Sequence, residues 1–150
     1  MYLYYKNSKS KTQIPNSLHV TFRKTIPTKL NPLWLYWRFI SWLKGDAFYE
    51  YQALLHEEIV CTAYVVPKNI KFPFIPNNGY HIGPCYTKPE YRGKGLYPLL
   101  LQHIMEENPN REYYMIIKDT NIPSIKGVQK VGFQEFAKGQ KNLLQQWVIS

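Results

Sequence analysis

TKPEYRGKGLY, residues 87–97, joins an extended run to a helical one, and the rest of the chain arranges itself around that junction. Before it, Tyr80 to Thr87 (YHIGPCYT) is strand-like. After it, Gly95 to Glu107 (GLYPLLLQHIMEE) places Leu96, Leu99, Leu100, His103 and Ile104 at i, i+3, i+4 spacings, which predicts a helix. Pro98 falls in that helix's first turn, where a missing N–H does no harm. Between strand and helix stand Arg92, Gly93, Lys94 and Gly95. Glycines let the backbone turn tightly and let a ligand approach its amides. The first N–H groups of a helix have no partner within it, and the helix dipole is positive there. Such a terminus binds phosphate, and Arg92 and Lys94 add charge. The spacings GxxxxGK[ST] and GxGxxG are both absent. A basic strand-to-helix turn with no ligand is the plainer alternative for this segment alone.

Outward from the junction, Gly83-Pro84 interrupts the strand, and a proline there predicts a bulge. Phe48 to Leu55 and Ile59 to Val66 read as strands joined by a hairpin turn at residues 56–58. Residues 67–79 carry three prolines and end in Asn-Asn-Gly, which predicts an exposed loop. Downstream, Tyr113 to Lys118 is a strand and residues 121–131 a helix stopped by Gly132. Residues 133–136 and 146–149 are short closing strands. Upstream, residues 2–5 and 18–25 are strands with a polar loop between them. Asn31-Pro32 caps a helix over residues 33–44, ended by Gly45. With no repeat or low-complexity tract, residues 1–150 form one α/β domain built on a mixed sheet.

Composition narrows the classes. At 150 residues with 45% hydrophobic and 19% charged residues, the chain can bury a core without staples, so general disorder is excluded. The net charge is +9, and residues 1–45 hold eight basic residues and no acid. That balance attracts anions without choosing among cofactors, nucleic acid and membrane surfaces. Cys61 and Cys85 have neither the number for a disulfide scaffold nor the spacing for zinc, so no metal is expected and the cytoplasm is the default compartment. No secretory signal opens the chain, and Pro32 to Leu43, broken by Arg38, is too short to span a membrane. No RNP signature, helix-turn-helix or zinc spacing supports nucleic-acid binding, although a basic nucleic-acid-binding domain is the third class weighed.

Arg92-x-x-Gly95, preceded by Pro89-Glu90-Tyr91, resembles the acetyl-CoA pyrophosphate loop of the GNAT superfamily of N-acetyltransferases. A second stretch agrees with it. Asn121-x-x-Ser124 followed by Lys130-Val131-Gly132-Phe133 resembles that family's N-x-x-[AS]…K-x-G-F segment, at a spacing filled by one helix and one strand. The resemblance covers residues 46–136. It implies a mixed, mostly antiparallel central sheet flanked by helices, with a splayed strand pair at the cofactor site.

The resemblance also implies roles. Acetyl-CoA would be the co-substrate and a small-molecule amine, anionic if the basic residues meet it, the acceptor. Backbone groups of Cys85, Tyr86 and Thr87 would pair with the pantetheine arm. The amides of Arg92, Gly93, Lys94, Gly95, Leu96 and Tyr97 would hold the pyrophosphate, with Asn121 on the pantetheine and Ser124 near the phosphates. Final strands often exchange or pair in that family, so the oligomeric state is left open, with a homodimer as one outcome. Two departures stand out. Tyr97 occupies the place of a Gly or Ala, so its ring is expected to turn away from the phosphate. Val128 stands where a tyrosine often protonates the leaving thiolate, seven residues after Asn121. A non-catalytic CoA- or nucleotide-binding module of the same fold is therefore the alternative to an enzyme.

An amine must lose a proton to attack, which suits a base with pKa near 7. His81, eleven residues before Arg92, is the candidate, with an ordinary pKa near 6.5. A structural histidine is the plainer alternative. His103 lies on an apolar stripe and reads as packed, and His56 belongs to a turn. Glu50 and Tyr64 face the site only if their register allows. Cys85 reads as a small buried residue rather than a nucleophile. Trp34, Tyr36, Trp37, Phe39 and Trp42 read as a helix covering the sheet, with an acceptor pocket or a membrane-surface role as alternatives.

Overall fold

The computed structural model describes residues 1–7, 13–27, 32, 35, 39, 43 and 48–150. Among them the strands are β1 (Tyr2–Asn7), β2 (Thr21–Thr25), β3 (Tyr49–Leu55), β4 (Glu58–Pro67), β5 (Gly79–Thr87), β6 (Glu112–Lys118), β7 (Phe133–Lys141) and β8 (Trp147–Ile149). Two helices, α1 (Leu96–Glu107) and α2 (Ile122–Lys130), interrupt that series. The strands form one sheet in the order β2-β3-β4-β5-β6-β1-β7-β8.

Every neighbouring pair is antiparallel except β5 and β6. Those two run parallel and stay in register only from Gly79 to His81 against Glu112 to Tyr114. Beyond His81 the strands part. This splay is the geometry the resemblance implied. The bulge expected at Gly83-Pro84 is present as well. On β4 the partners step two residues, Val65 to Ala63, while on β5 they step three, Ile82 to Cys85. Pro84 has no N–H to give the ladder, so the extra residue falls there.

α1 packs against β3 and β4. It buries Leu100, Leu101 and Ile104 completely, at roughly 1.5–3 kcal/mol for each side chain removed from water. α2 packs against α1 and β7, with Val128 fully buried. Thus the helix that follows the glycine turn is anchored by its apolar stripe, and its N-terminus is fixed relative to the splay.

Several local expectations are corrected. The β3–β4 turn is His56 and Glu57 alone, both at positive φ (49° and 65°), and Glu58 already pairs with Leu55. Residues 67–79 do not form an exposed loop: Phe72 and Ile75 are buried. Prolines fixed the turns there, but the apolar residues between them pack inward. β2 begins at Thr21 rather than at residue 18, because the Asn16 side chain bonds both the N–H and the C=O of Val20 (2.8 and 2.9 Å). Most of the helix expected over 33–44 lies outside the described residues, as do Asn31, Gly45, Trp34, Tyr36, Trp37 and Trp42. Leu35, Phe39 and Leu43 are helical, but each is more than half exposed. The face they make does not cover the sheet. No helix among the described residues is long and apolar enough to cross a membrane.

Candidate active site

The glycine turn forms as its sequence requires. β5 ends at Thr87, a single 3-10 turn spans Pro89–Tyr91, and Gly93 and Gly95 both take φ of 77°. A Cβ added at either glycine would meet nothing within 4 Å. Glycine is needed there for backbone conformation, and the space above it is open. The Nε of Arg92 donates to the Thr87 carbonyl at 3.1 Å, pinning the turn to the end of β5. Lys88 and the Tyr91 hydroxyl both donate to the Glu58 carboxylate, tying the same turn to β4. These two hydrogen bonds hold the Glu58 carboxyl below its usual range. The Lys94 ammonium lies over the Tyr91 ring, 4.9 Å from its centroid.

Gly95 is the N-cap of α1, and no side chain caps that helix. Among the described residues, nothing accepts a hydrogen bond from the N–H groups of Gly93 through Tyr97. α2 differs. Its N-cap, Asn121, accepts from the Ser124 N–H with its own side chain at 3.4 Å.

The bare turn opens on a cavity of about 700 Å³ whose walls include Cys85, Tyr86, Thr87, Arg92, Gly93, Gly95, Leu96, Tyr97, Asn121 and Ser124. Ten of the eleven residues expected at the cofactor are therefore brought together, while the Lys94 side chain turns to Tyr91 instead. The cavity also receives Lys126 and Lys130 from α2, which the sequence analysis did not single out. Their i, i+4 spacing puts them on one helix face, and that was the available signal.

A second cavity, about 530 Å³, fills the splay on the far side of β5 and β6. His81, Phe72 and Trp147 line it, with Lys71, Lys118 and Lys141 among the described residues. No local motif marks these lysines, because they come from three separate segments. Cys85, Tyr97, Asn121 and Ser124 line both cavities. The two spaces thus meet at the splay.

His81 is buried and stacks on Phe72, with ring centroids 4.2 Å apart. Burial pushes its pKa down to about 3, against a smaller upward pull from a hydrogen bond with the Gly83 backbone. It does not titrate near 6.5, because the protonated ring would lose its hydration. Its Nδ1 is shut from solvent and has no hydrogen-bond partner among the described residues. Burial and the neighbouring Cys61 hold the Cys85 thiol far above its ordinary range, so it is a thiol and not a thiolate. His103 stacks on Phe22 at 4.1 Å, as a packed residue does. Glu50 and Tyr64 oppose each other across β3 and β4, and only Tyr64 lines a cavity. Among the described residues, no group of three His, Cys, Asp or Glu is placed to hold a metal ion.

The Tyr97 ring packs beside Gly127 of α2. Its hydroxyl donates to the Met115 sulfur at 3.9 Å and lies beside the Cys85 thiol. The ring turns away from the glycine turn, leaving only the backbone N–H there.

A family model described as the acetyltransferase (GNAT) family matches residues 13–133. Among solved structures, a GNAT family acetyltransferase from Elizabethkingia anophelis with acetyl-CoA bound is similar with a TM-score of 0.57 at 15% identity, covering 84% of this chain and 82% of that one. A predicted acetyltransferase with acetyl-CoA from Clostridium acetobutylicum gives 0.56 at 19% identity, covering 84% and 97%. An acetyltransferase of the GNAT family from Colwellia psychrerythraea gives 0.60 at 9% identity, covering 89% of this chain and 52% of that one. The chain spans 59%, 52%, 50% and 57% of the first four structures it matches. At these identities the likeness shows the fold. No curated protein sequence matches the chain.

Proposed function

Because the chain belongs to the acetyltransferase (GNAT) family, we propose that it transfers an acetyl group from acetyl-CoA to the amine of a small anionic acceptor, within one domain spanning residues 1–150. The observation that carries this reading is the uncapped start of α1, whose bare amides open on a cavity that joins a second one through the splay. An uncapped helix start forgoes about 1 kcal/mol, which a bound pyrophosphate offsets through charge-assisted hydrogen bonds. Acetyl-CoA, when bound, supplies an activated acyl carbon.

The remaining steps belong to the chain's own groups. The amides of Gly93 to Tyr97 hold the diphosphate, with Arg92, Lys126 and Lys130 adding charge. The edge of β5 from Cys85 to Thr87, left unpaired by β6, receives the pantetheine arm as an added strand. A backbone N–H of the same edge stabilises the oxygen that becomes negative during attack. Asn121 and Ser124, at the join of the cavities, guide the arm into the splay. Lys71, Lys118 and Lys141 attract the acceptor's anionic group.

His81 is the proposed acceptor of the attacking nitrogen's proton. Held neutral by burial, it is a weak base, so the amine must arrive uncharged. The rate then rises with pH up to the amine's own pKa, without an inflection near 6.5 from His81. His81→Ala should keep cofactor affinity and lose turnover; unchanged turnover removes His81 from the mechanism. The second reading, a CoA-binding module without turnover, is favoured by Val128, whose buried side chain offers no hydroxyl.

Calorimetric titration with acetyl-CoA tests the first step, with submillimolar binding expected and Arg92→Glu abolishing it. Acetyl-CoA consumption across a panel of carboxylated, phosphorylated and neutral amines tests the second. Binding without consumption of any amine favours the module, and preference for neutral amines removes the anionic acceptor.

A further inference from the structure

We propose that the Tyr97 hydroxyl donates a hydrogen bond to the thioester sulfur and to the thiolate it becomes, in a position made by the glycine at residue 127. The inference rests on the acetyl-transfer reading above and adds a group to it. Tyr97 is the second residue of α1, so its backbone N–H belongs to the phosphate turn. Its hydroxyl, at the other end of the ring, reaches Met115 on β6 and Cys85 on β5. Those strands flank the splay, and Met115 is the first β6 residue beyond the parallel register. Tyr97 also lines both cavities. In an acyl thioester the sulfur is the atom between the pantetheine arm and the acyl carbon. A group at the join of the two cavities therefore stands at sulfur.

The ring takes this path because residue 127 has no side chain. A Cβ there would lie 2.7 and 2.8 Å from Cδ1 and Cε1 of Tyr97, which is not tolerated. Glycine inside a helix costs about 0.5–1 kcal/mol relative to alanine, and the Tyr97 ring accounts for its presence. Among the described residues the hydroxyl's hydrogen-bond partner is the Met115 sulfur, a weak acceptor readily exchanged for a stronger one. Burial holds the Tyr97 phenol well above its ordinary range, so it remains a donor at every working pH. Val128 cannot supply a hydroxyl from α2, since its side chain is fully buried in the core.

In the transfer, the acceptor nitrogen bonds to the acyl carbon and the C–S bond breaks, its electron pair going to sulfur. The proton lost by nitrogen is matched by the proton the departing thiolate gains. Tyr97 stabilises the sulfur while it is negative and keeps its own proton.

Binding of CoA itself reads this directly. A free thiol titrates near 8.5, and a donor facing sulfur favours the thiolate. The wild-type protein should bind CoA about sixfold more tightly at pH 9 than at pH 7, for a lowering of the bound thiol by about one unit. A CoA analogue lacking the thiol should show no such gain. Tyr97→Phe keeps the ring beside Gly127 and should reduce the gain to that of the analogue. Gly127→Ala displaces the ring and should do the same with the hydroxyl still present. If Tyr97→Phe binds CoA with the wild-type pH gain, the inference is overturned and the acetyl-transfer reading stands. If the wild-type protein binds no CoA, both fall.

Discussion

Two helices begin beside the same cavity, and they begin differently. α2 closes its own start with the Asn121 side chain. α1 starts on a glycine, with no side chain over its first amides. A protein that needed both helices only as structure would gain stability by capping both. The contrast separates an end that is finished by the chain itself from one that is completed by something else. Another unsatisfied group, the His81 Nδ1, differs from the bare start of α1 because it is sealed from solvent.

After the loss of binding expected of Arg92→Glu, the largest effect should come from giving α1 the kind of end that α2 has. Gly95→Asp places a carboxylate on the amides proposed to hold the diphosphate. Calorimetry should show acetyl-CoA affinity falling on the order of 100-fold, ~2.7 kcal/mol. An affinity within threefold of wild type would mean that the bare end is not the phosphate site.

His81 provides the next largest effect, and it acts on stability. In the unfolded chain this histidine takes a proton near pH 6.5, while in the fold it does so only at about 3. Between those values the unfolded state binds more protons, so stability is complete above 6.5 and falls as the pH drops through that window. The loss should be about 2 kcal/mol between pH 6.5 and 5 from this residue. His81→Phe, which preserves a ring to stack on Phe72, should lose less when denaturant melts at the two pH values are compared. Equal slopes in the two proteins would mean that His81 is not sealed.

The basic face of α2 should matter less than the amides of α1. Replacing Lys126 and Lys130 together with alanine should weaken acetyl-CoA binding about tenfold at low salt, and less as salt rises. A loss larger than that of Gly95→Asp would reverse the comparison and make α2 the main anion site. The smallest effect belongs to the cap itself. Asn121→Ala should cost about 1 kcal/mol of unfolding free energy, with acetyl-CoA affinity changed only a few-fold. Unaltered denaturant stability would show that the Asn121 cap does not hold α2 in place.

The parts of the fold legible in the sequence were those with strong periodicity or strong punctuation. α1 announced itself through its leucines and Pro98, and the bulge in β5 through Gly83-Pro84. β7 was cut short at residue 136, although it runs to Lys141, because its later residues are mostly exposed and show no apolar alternation. That strand is set by its neighbours β1 and β8 rather than by its own pattern. The burial of His81 was also illegible, since it depends on Phe72, contributed by a segment whose prolines suggested an exposed loop. The glycine turn could be found because its glycines, its charge and its helix are contiguous. The lysines of the second cavity could not, because the fold alone brings residues 71, 118 and 141 together.

β1 lies inside the sheet, paired on one side with β6 and on the other with β7. Among the described strands it comes first in sequence, and its partners β6 and β7 come sixth and seventh. Tyr4 and Tyr5, both fully buried in the finished protein, must wait unburied through most of synthesis. The pairing of β1 with β7 must wait until Phe133 and the residues after it are made, so this strand's aromatic side chains are the surface that a chaperone would meet on the nascent chain.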